Sequence, residues 1–369
     1  MGNEIKTRNT YLDLLRVVAI FLIVISHVYD LLFVNMEYNT IADYFTYMFY
    51  HLFGNTGNLI FITCSAFYLI KSKGPRLNKI IFLILIQIVT AALMLLVIHY
   101  LNIDVVNIHW LKRTLFPYLT GVTYWYINAY IIYYMIHGFL NVLIHNISKS
   151  EHKLFVIIGM IYFMILPVFF KGPWNNISAI TNFVLIHFIV SYVDKYMKNF
   201  DFNKSTKIFG SLYFIILLAF IIIDIVLKIN KYKYITQLHT WKYFNVVLVM
   251  FIVSLVFNEK NVIMKPNSII SIISSLSLYI YLIHCYETSR NVITAGVFEN
   301  TVWPLIDGRF SYSLDRLVYF GLSVLYFLTN IPIAFIYKKL VEPILQPLSN
   351  KISDKFRSMW AKLEEKYDR

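Results

Sequence analysis

Ten apolar runs make up most of this chain, near 11–33, 44–70, 80–100, 122–144, 154–170, 177–193, 208–227, 243–257, 268–286 and 317–337. A helix of roughly 20 apolar residues crosses the hydrocarbon of a bilayer. Backbone groups in that medium must bond within their own segment, and the runs lack the alternation of barrel strands, so each is expected to be a helix. Hydrophobic residues are 59% of the 369 and charged residues 14%, against about 45–50% and about 25% in soluble domains. That balance excludes a soluble enzyme, a disordered chain and a disulfide scaffold. The expected fold is all-α and polytopic, with about ten transmembrane helices in one bundle and the lipid bilayer as its first partner.

The net charge of +13 raises the question of nucleic acid, but the placement of the cations answers it otherwise. With the N-terminus inside, 22 of the 33 Lys and Arg fall in cytoplasmic segments and 10 in external ones, Arg16 lying within the first run. This is the positive-inside bias, and it predicts N-in and C-in with no nucleic-acid partner. Residues 1–345 read as a membrane-embedded domain. Residues 346–369 read as a basic amphipathic cytoplasmic tail, with Ile352, Phe356, Trp360, Leu363 and Tyr367 at helical spacing. The first run is too long for a signal-peptide core and lacks a small-residue cleavage site. Cys64 and Cys285 both sit in apolar runs and read as small buried hydrophobes. No cluster has metal-ligand spacing, so no metal is expected, and neither a phosphate-cradling glycine loop nor a Gly-x-Ser-x-Gly elbow is present. The sequence leaves oligomeric state open.

Polar groups within the spans carry the functional argument, because a charge at the bilayer centre costs at least ~3 kcal/mol on insertion scales. Arg16 and His27 are eleven residues apart, about 20° beyond three full turns, so they share one helix face about 16 Å apart. Asp13, one turn before Arg16, can pair with it, and Asp30, one turn after His27, can orient the imidazole. A snorkelling anchor for Arg16 and a packed polar role for His27 are the bland alternatives. Gly57, Ser65 and Ala66 let helices approach closely. They run into Lys71, Lys73, Arg76 and Lys79, which make either a plain cytoplasmic loop or a grip for phosphates. In the ninth run Ser277, Tyr281 and His284 share a face. Asn128 is the polar residue of the fourth run placed to face a cavity.

Four of these pieces, in order, resemble the acyltransferase-3 family of integral membrane acyltransferases. Asp13, Arg16 and His27 are similar to its Asp-x-x-Arg followed by ten residues and His. Gly57 to Leu69 is similar to its Gly…Phe-Phe-x-x-Ser-Gly-Tyr/Phe-Leu segment, with Ala66 where glycine is usual. Ser277-Leu-Tyr279-Ile-Tyr281-Leu-Ile-His284 is similar to Ser-Tyr-x-x-Tyr-Leu-x-His, and Val341-Glu342-Pro343 to the closing Glu-Pro element. Arg76-Leu-Asn-Lys79 stands where the family often has Arg-x-x-Arg, and lysine loses the bidentate fork. No hydrolase-like extracellular domain is expected, which reads as a stand-alone member.

The resemblance implies a multi-pass plasma-membrane O-acetyltransferase. It would take acetyl from cytoplasmic acetyl-CoA, as cosubstrate with no bound cofactor, and deliver it to a hydroxyl of a cell-envelope polysaccharide or its lipid-linked precursor. On that footing His27 and Asp30 are the expected catalytic residues, with His27 as general base or acyl carrier. Arg16, Lys73, Arg76 and Lys79 are expected to hold acyl-CoA. Ser65, Asn128, Ser277, Tyr281 and His284 are expected to serve the oxyanion or the glycan acceptor, and Asp13 and Glu342 to make structural pairs. The competing class is a polysaccharide or small-solute exporter or flippase without acyl-transfer chemistry.

Overall fold

A computed structural model describes residues 9–32, 41–100, 112, 124–169, 179–226, 245–285 and 312–367. The side chains at 29–32 and 41–52 are outside the description. Among the described residues the chain is helical without strands. Ten helices follow the ten apolar runs: α1 (Thr10–Leu32), α2 (Ile41–Leu69), α3 (Leu77–Tyr100), α4 (Trp125–Asn146), α5, α6 (Ala179–Tyr196), α7 (Phe202–Val226), α8 (Val246–Phe257), α9 (Ser268–His284) and α10 (Tyr312–Tyr367). Helix α5 begins as Lys149–Met160, widens to a π-turn at Ile161–Ile165 and finishes as Leu166–Phe169.

The helices start where the sequence supplies oxygen acceptors for their orphan amides. The Asn9 side chain accepts from Leu12 N at 3.1 Å to open α1. Asn245 does the same for Val247 in α8 and Asn267 for Ile270 in α9. Ser148 and Glu151 close a reciprocal capping box at α5.

Four helical segments among the described residues are long and apolar enough to cross a membrane: Thr10–Val28, Leu77–Val97, Trp125–Asn146 and Phe320–Glu364. Their outward faces are apolar, with Phe139 79% and Leu96 63% exposed. Water would make such a surface costly, whereas hydrocarbon does not. The chain is a membrane protein.

Helix α1 sits at the centre, packed on α2, α9 and α10, and Ala19, Ile20, Val24 and Ile25 are wholly buried. Gly57 sets the α1–α2 crossing. A Cβ at that position would meet the Ala19 carbonyl oxygen at 2.5 Å and Ile23 Cγ1 at 2.7 Å, so only a bare backbone fits. Asp13 ties α1 to α9 by accepting from Ser274 Oγ at 2.8 Å and Ser271 Oγ at 3.2 Å. Helix α10 runs unbroken past residue 345 and includes Pro332, Pro343 and Pro347.

Candidate active site

The turn spacing of α1 carries Arg16 and Ile23 onto one face, and that face lines a cavity of about 190 Å³ between α1, α2, α3, α4 and α9. Arg16 and Lys79 are its cations, and Ser65, Tyr126, Tyr130, Ser277 and Tyr281 supply polar groups. Its volume is below the roughly 300 Å³ at which pockets for drug-sized ligands begin. It suits a slender chain rather than a nucleotide.

The two cations are held in different ways. Arg16 lies 3.9 Å from Asp13, whose carboxylate is fixed by the α9 serines. The guanidinium is therefore neutralised loosely and keeps donors for a second anion. Lys79 Nζ donates to Tyr130 OH at 3.0 Å and stands 4.4 Å over the Tyr134 ring. Tyr130 and Tyr134 stack on each other along α4. The two rings hold the exposed Lys79 ammonium in place by cation–π attraction.

His27 lies one turn beyond Ile23, and it meets His284 of α9. His27 Nδ1 is 3.1 Å from His284 Nε2, and His284 Nδ1 is 2.6 Å from the Ile280 carbonyl oxygen. A carbonyl only accepts, so His284 Nδ1 carries the proton and donates it. In neutral His284, Nε2 is then the acceptor, and His27 Nδ1–H donates to it. The sequence of bonds places the lone pair of His27 on Nε2. Tyr281, one turn before His284, lines the cavity, so both imidazoles stand a turn past its end. His284 is buried and His27 is partly exposed.

Ser65, Ser277 and Tyr281 line the cavity. Ser277 Oγ is buried there with no hydrogen-bond partner among the described residues. His284 contacts the His27 ring. Asn128 does not line the cavity, since its α4 neighbours Tyr126, Ile127 and Tyr130 take that face. Lys73 and Arg76 are exposed and off the lining, although Arg76 N donates to Tyr134 OH at 3.3 Å beside Lys79. Glu342 pairs with Lys338 at 3.8 Å and lines a separate cavity with Ser275 and Asn350 that shares no residue with the first. The side chain of Asp30 is outside the described residues.

Two groups escaped the sequence reading. Tyr126, Tyr130 and Tyr134 recur every four residues along α4, a signal hidden among 29 tyrosines. Cys285, taken as a buried hydrophobe, has its Sγ 3.3 Å from His284 Nε2 and 3.5 Å from His27 Nδ1.

A polar network braces the cytoplasmic end that is expected from the charge bias. Asn141 of α4 donates to the Leu69 and Ser72 carbonyls, both at 2.9 Å, and accepts from His187 Nε2 at 2.9 Å. His187 Nδ1 then accepts from Tyr133 OH at 2.7 Å. The turn leading into Arg76 and Lys79 is fixed through these bonds.

Compared with known proteins, residues 9–338 match the family model described as an acyltransferase domain, of the acyltransferase-3 type. No curated protein matches, and no solved structure matches.

Proposed function

The chain belongs to the acyltransferase-3 family, and on that premise we propose that it transfers an acetyl group from cytoplasmic acetyl-CoA to a hydroxyl of a cell-envelope polysaccharide or its lipid-linked precursor. Membrane acyl transfer comes with the family. The donor, the acceptor and the plasma-membrane location are our reading. One observation carries it: a narrow cavity has Arg16 and Lys79 as its cations, and an imidazole pair stands one turn beyond its far residues, Ile23 and Tyr281.

The nucleotide of acetyl-CoA is too bulky for about 190 Å³ and stays outside, its phosphates against Arg16 and Lys79, with Lys73 and Arg76 at the approach. Charge-assisted bonds to phosphate suit these groups. The pantetheine arm enters the cavity and brings the thioester toward α9. His27 Nε2 takes the proton of the acceptor hydroxyl as its oxygen attacks the thioester carbonyl. The carbonyl becomes a tetrahedral oxyanion. Ser277, whose hydroxyl has no partner among the described residues, is the nearest-suited donor to it, with Ser65 and Tyr281 lining the same cavity. Collapse expels the CoA thiolate, which takes the proton back from His27 Nε2 as it leaves, and the new oxygen ester departs with the acceptor. His284 holds His27 in the base-competent tautomer throughout.

The test is mass spectrometry of surface glycans from cells with the chain, without it, and with His27→Ala. One acetyl group per repeat lost in both altered strains supports the proposal. Unchanged acylation with failed glycan export would assign the chain to transport.

A further inference from the structure

Cys285 follows directly on α9 and completes a triangle with the two imidazoles. His27 Nδ1, His284 Nε2 and Cys285 Sγ are separated by 3.1, 3.3 and 3.5 Å. A tetrahedral Zn²⁺ with bonds of about 2.0–2.1 Å to nitrogen and about 2.3 Å to sulfur holds its ligands about 3.4 Å apart for two nitrogens and about 3.6 Å for nitrogen and sulfur. Each side of the observed triangle is within a few tenths of an ångström of those values. The outer bond is present as well, because His284 Nδ1 donates to the Ile280 carbonyl at 2.6 Å. Metal-bound histidines are oriented by such a partner on their second nitrogen.

We propose that His27, His284 and Cys285 form a three-donor site for a borderline-soft divalent cation, Zn²⁺ above all. Two imidazoles and a thiolate select such ions over Mg²⁺ and Ca²⁺, which require oxygen ligands. Binding has a defined proton balance. The Cys285 thiol loses its proton to solvent as the S–Zn bond forms. His27 Nδ1 gives its lone pair to the metal, so the ring proton moves from Nδ1 to Nε2. His284 keeps its tautomer.

One consequence rests on the proposed role of His27. With its proton on Nε2, the imidazole has no lone pair for the acceptor hydroxyl, so the metal-bound enzyme is switched off. Removal of the ion restores the base.

The binding test needs no acyl acceptor, so its failure and that of the proposed reaction are separable. Full-length protein in detergent, stripped with chelator, is titrated with Co²⁺ as a spectroscopic probe and then with Zn²⁺. The site predicts saturable binding, tetrahedral visible bands and a near-ultraviolet thiolate-to-cobalt band, all bleached by Zn²⁺. Cys285→Ser removes the near-ultraviolet band and weakens Zn²⁺ binding by more than ~10-fold, the least that loss of a supporting partner costs. Cys64→Ser leaves both unchanged. Should Cys285→Ser fail to purify, X-ray absorption of the Zn²⁺-loaded wild type decides, with sulfur and imidazole scatterers expected. No saturable binding, a cobalt band that survives Cys285→Ser, or an oxygen-only shell overturns the site.

Discussion

His27 and His284, 257 residues apart in the sequence, meet nitrogen to nitrogen at 3.1 Å. The bond is directional because the Ile280 carbonyl fixes the proton on the far side of His284. His27→Ala removes the base and is expected to lower kcat by ~10²–10⁴-fold. His284→Ala releases the tautomer and is expected to lower kcat by about 10²-fold, short of the ~10⁴-fold that a wrong tautomer costs in a serine protease. Steady-state kinetics with a purified acceptor checks both. A rise in acceptor KM at constant kcat would instead make His284 an acceptor-binding residue.

Arg16 touches the cavity and Asp13 at once. Arg16→Ala is expected to raise KM for acyl-CoA by roughly 10- to 100-fold, the worth of a charge-assisted hydrogen bond of about 1.5–3 kcal/mol. Arg16→Lys keeps the charge, loses the fork and lands between. Competition by desulfo-CoA, an unreactive analogue, measures the binding term without chemistry.

Gly57→Ala places a methyl group against the Ala19 carbonyl. The backbone there has no rotamer to yield, so α1 and α2 must part. A loss of about 1–3 kcal/mol is expected, read as a lower midpoint in detergent thermal unfolding. Gly74→Ala, where an added Cβ meets nothing within 4 Å, is the control.

Asn141→Ala takes the side-chain donor from the Ser72 carbonyl, leaves the Leu69 carbonyl with the Ser72 amide alone, and takes from His187 Nε2 its acceptor. Buried groups left unpaired cost about 1–3 kcal/mol. Faster hydrogen exchange at the turn from 70 to 76 is the expected signature. An unchanged exchange pattern would separate the network from that turn.

Glu151 in the α5 capping box has its pKa held below the usual carboxylate range by bonds to Ser148. A depressed folded pKa means that the contribution is complete above the ordinary carboxylate value. It is lost as pH falls through the lower folded value. Amide exchange in the first turn of α5 is expected to rise in that acid window, and in Ser148→Ala to be raised already at neutral pH.

The hydropathy of the chain made all ten helices legible, because a medium without water leaves each apolar run one solution. Angular spacing put Arg16 and His27 on one face of α1; the cavity is lined by Arg16 and Ile23, and His27 stands a turn past it. Asp13 was legible as a partner of Arg16 but not as the tie to Ser271 and Ser274, since that depends on which helix lies alongside. The same gap hid the meeting of His27 with His284 and Cys285: spacing within a helix shows which side chains share a face, not what stands opposite. Asn128 shows the converse. Its polarity marked it, yet its angle on α4 places Tyr126 and Tyr130 at the cavity instead.

Helix α10 spans 56 residues, roughly 84 Å at ~1.5 Å per residue, against about 30 Å of hydrocarbon. Lipid can therefore wrap little more than a third of it. The rest continues in one backbone from the part anchored by Phe327 and Ala334, stays packed as far as the buried Ser349 and Ser353, and carries Phe356 and Trp360 exposed near its tip. Any tilt of the bundle in its bilayer is magnified at that tip, where a single indole reports it.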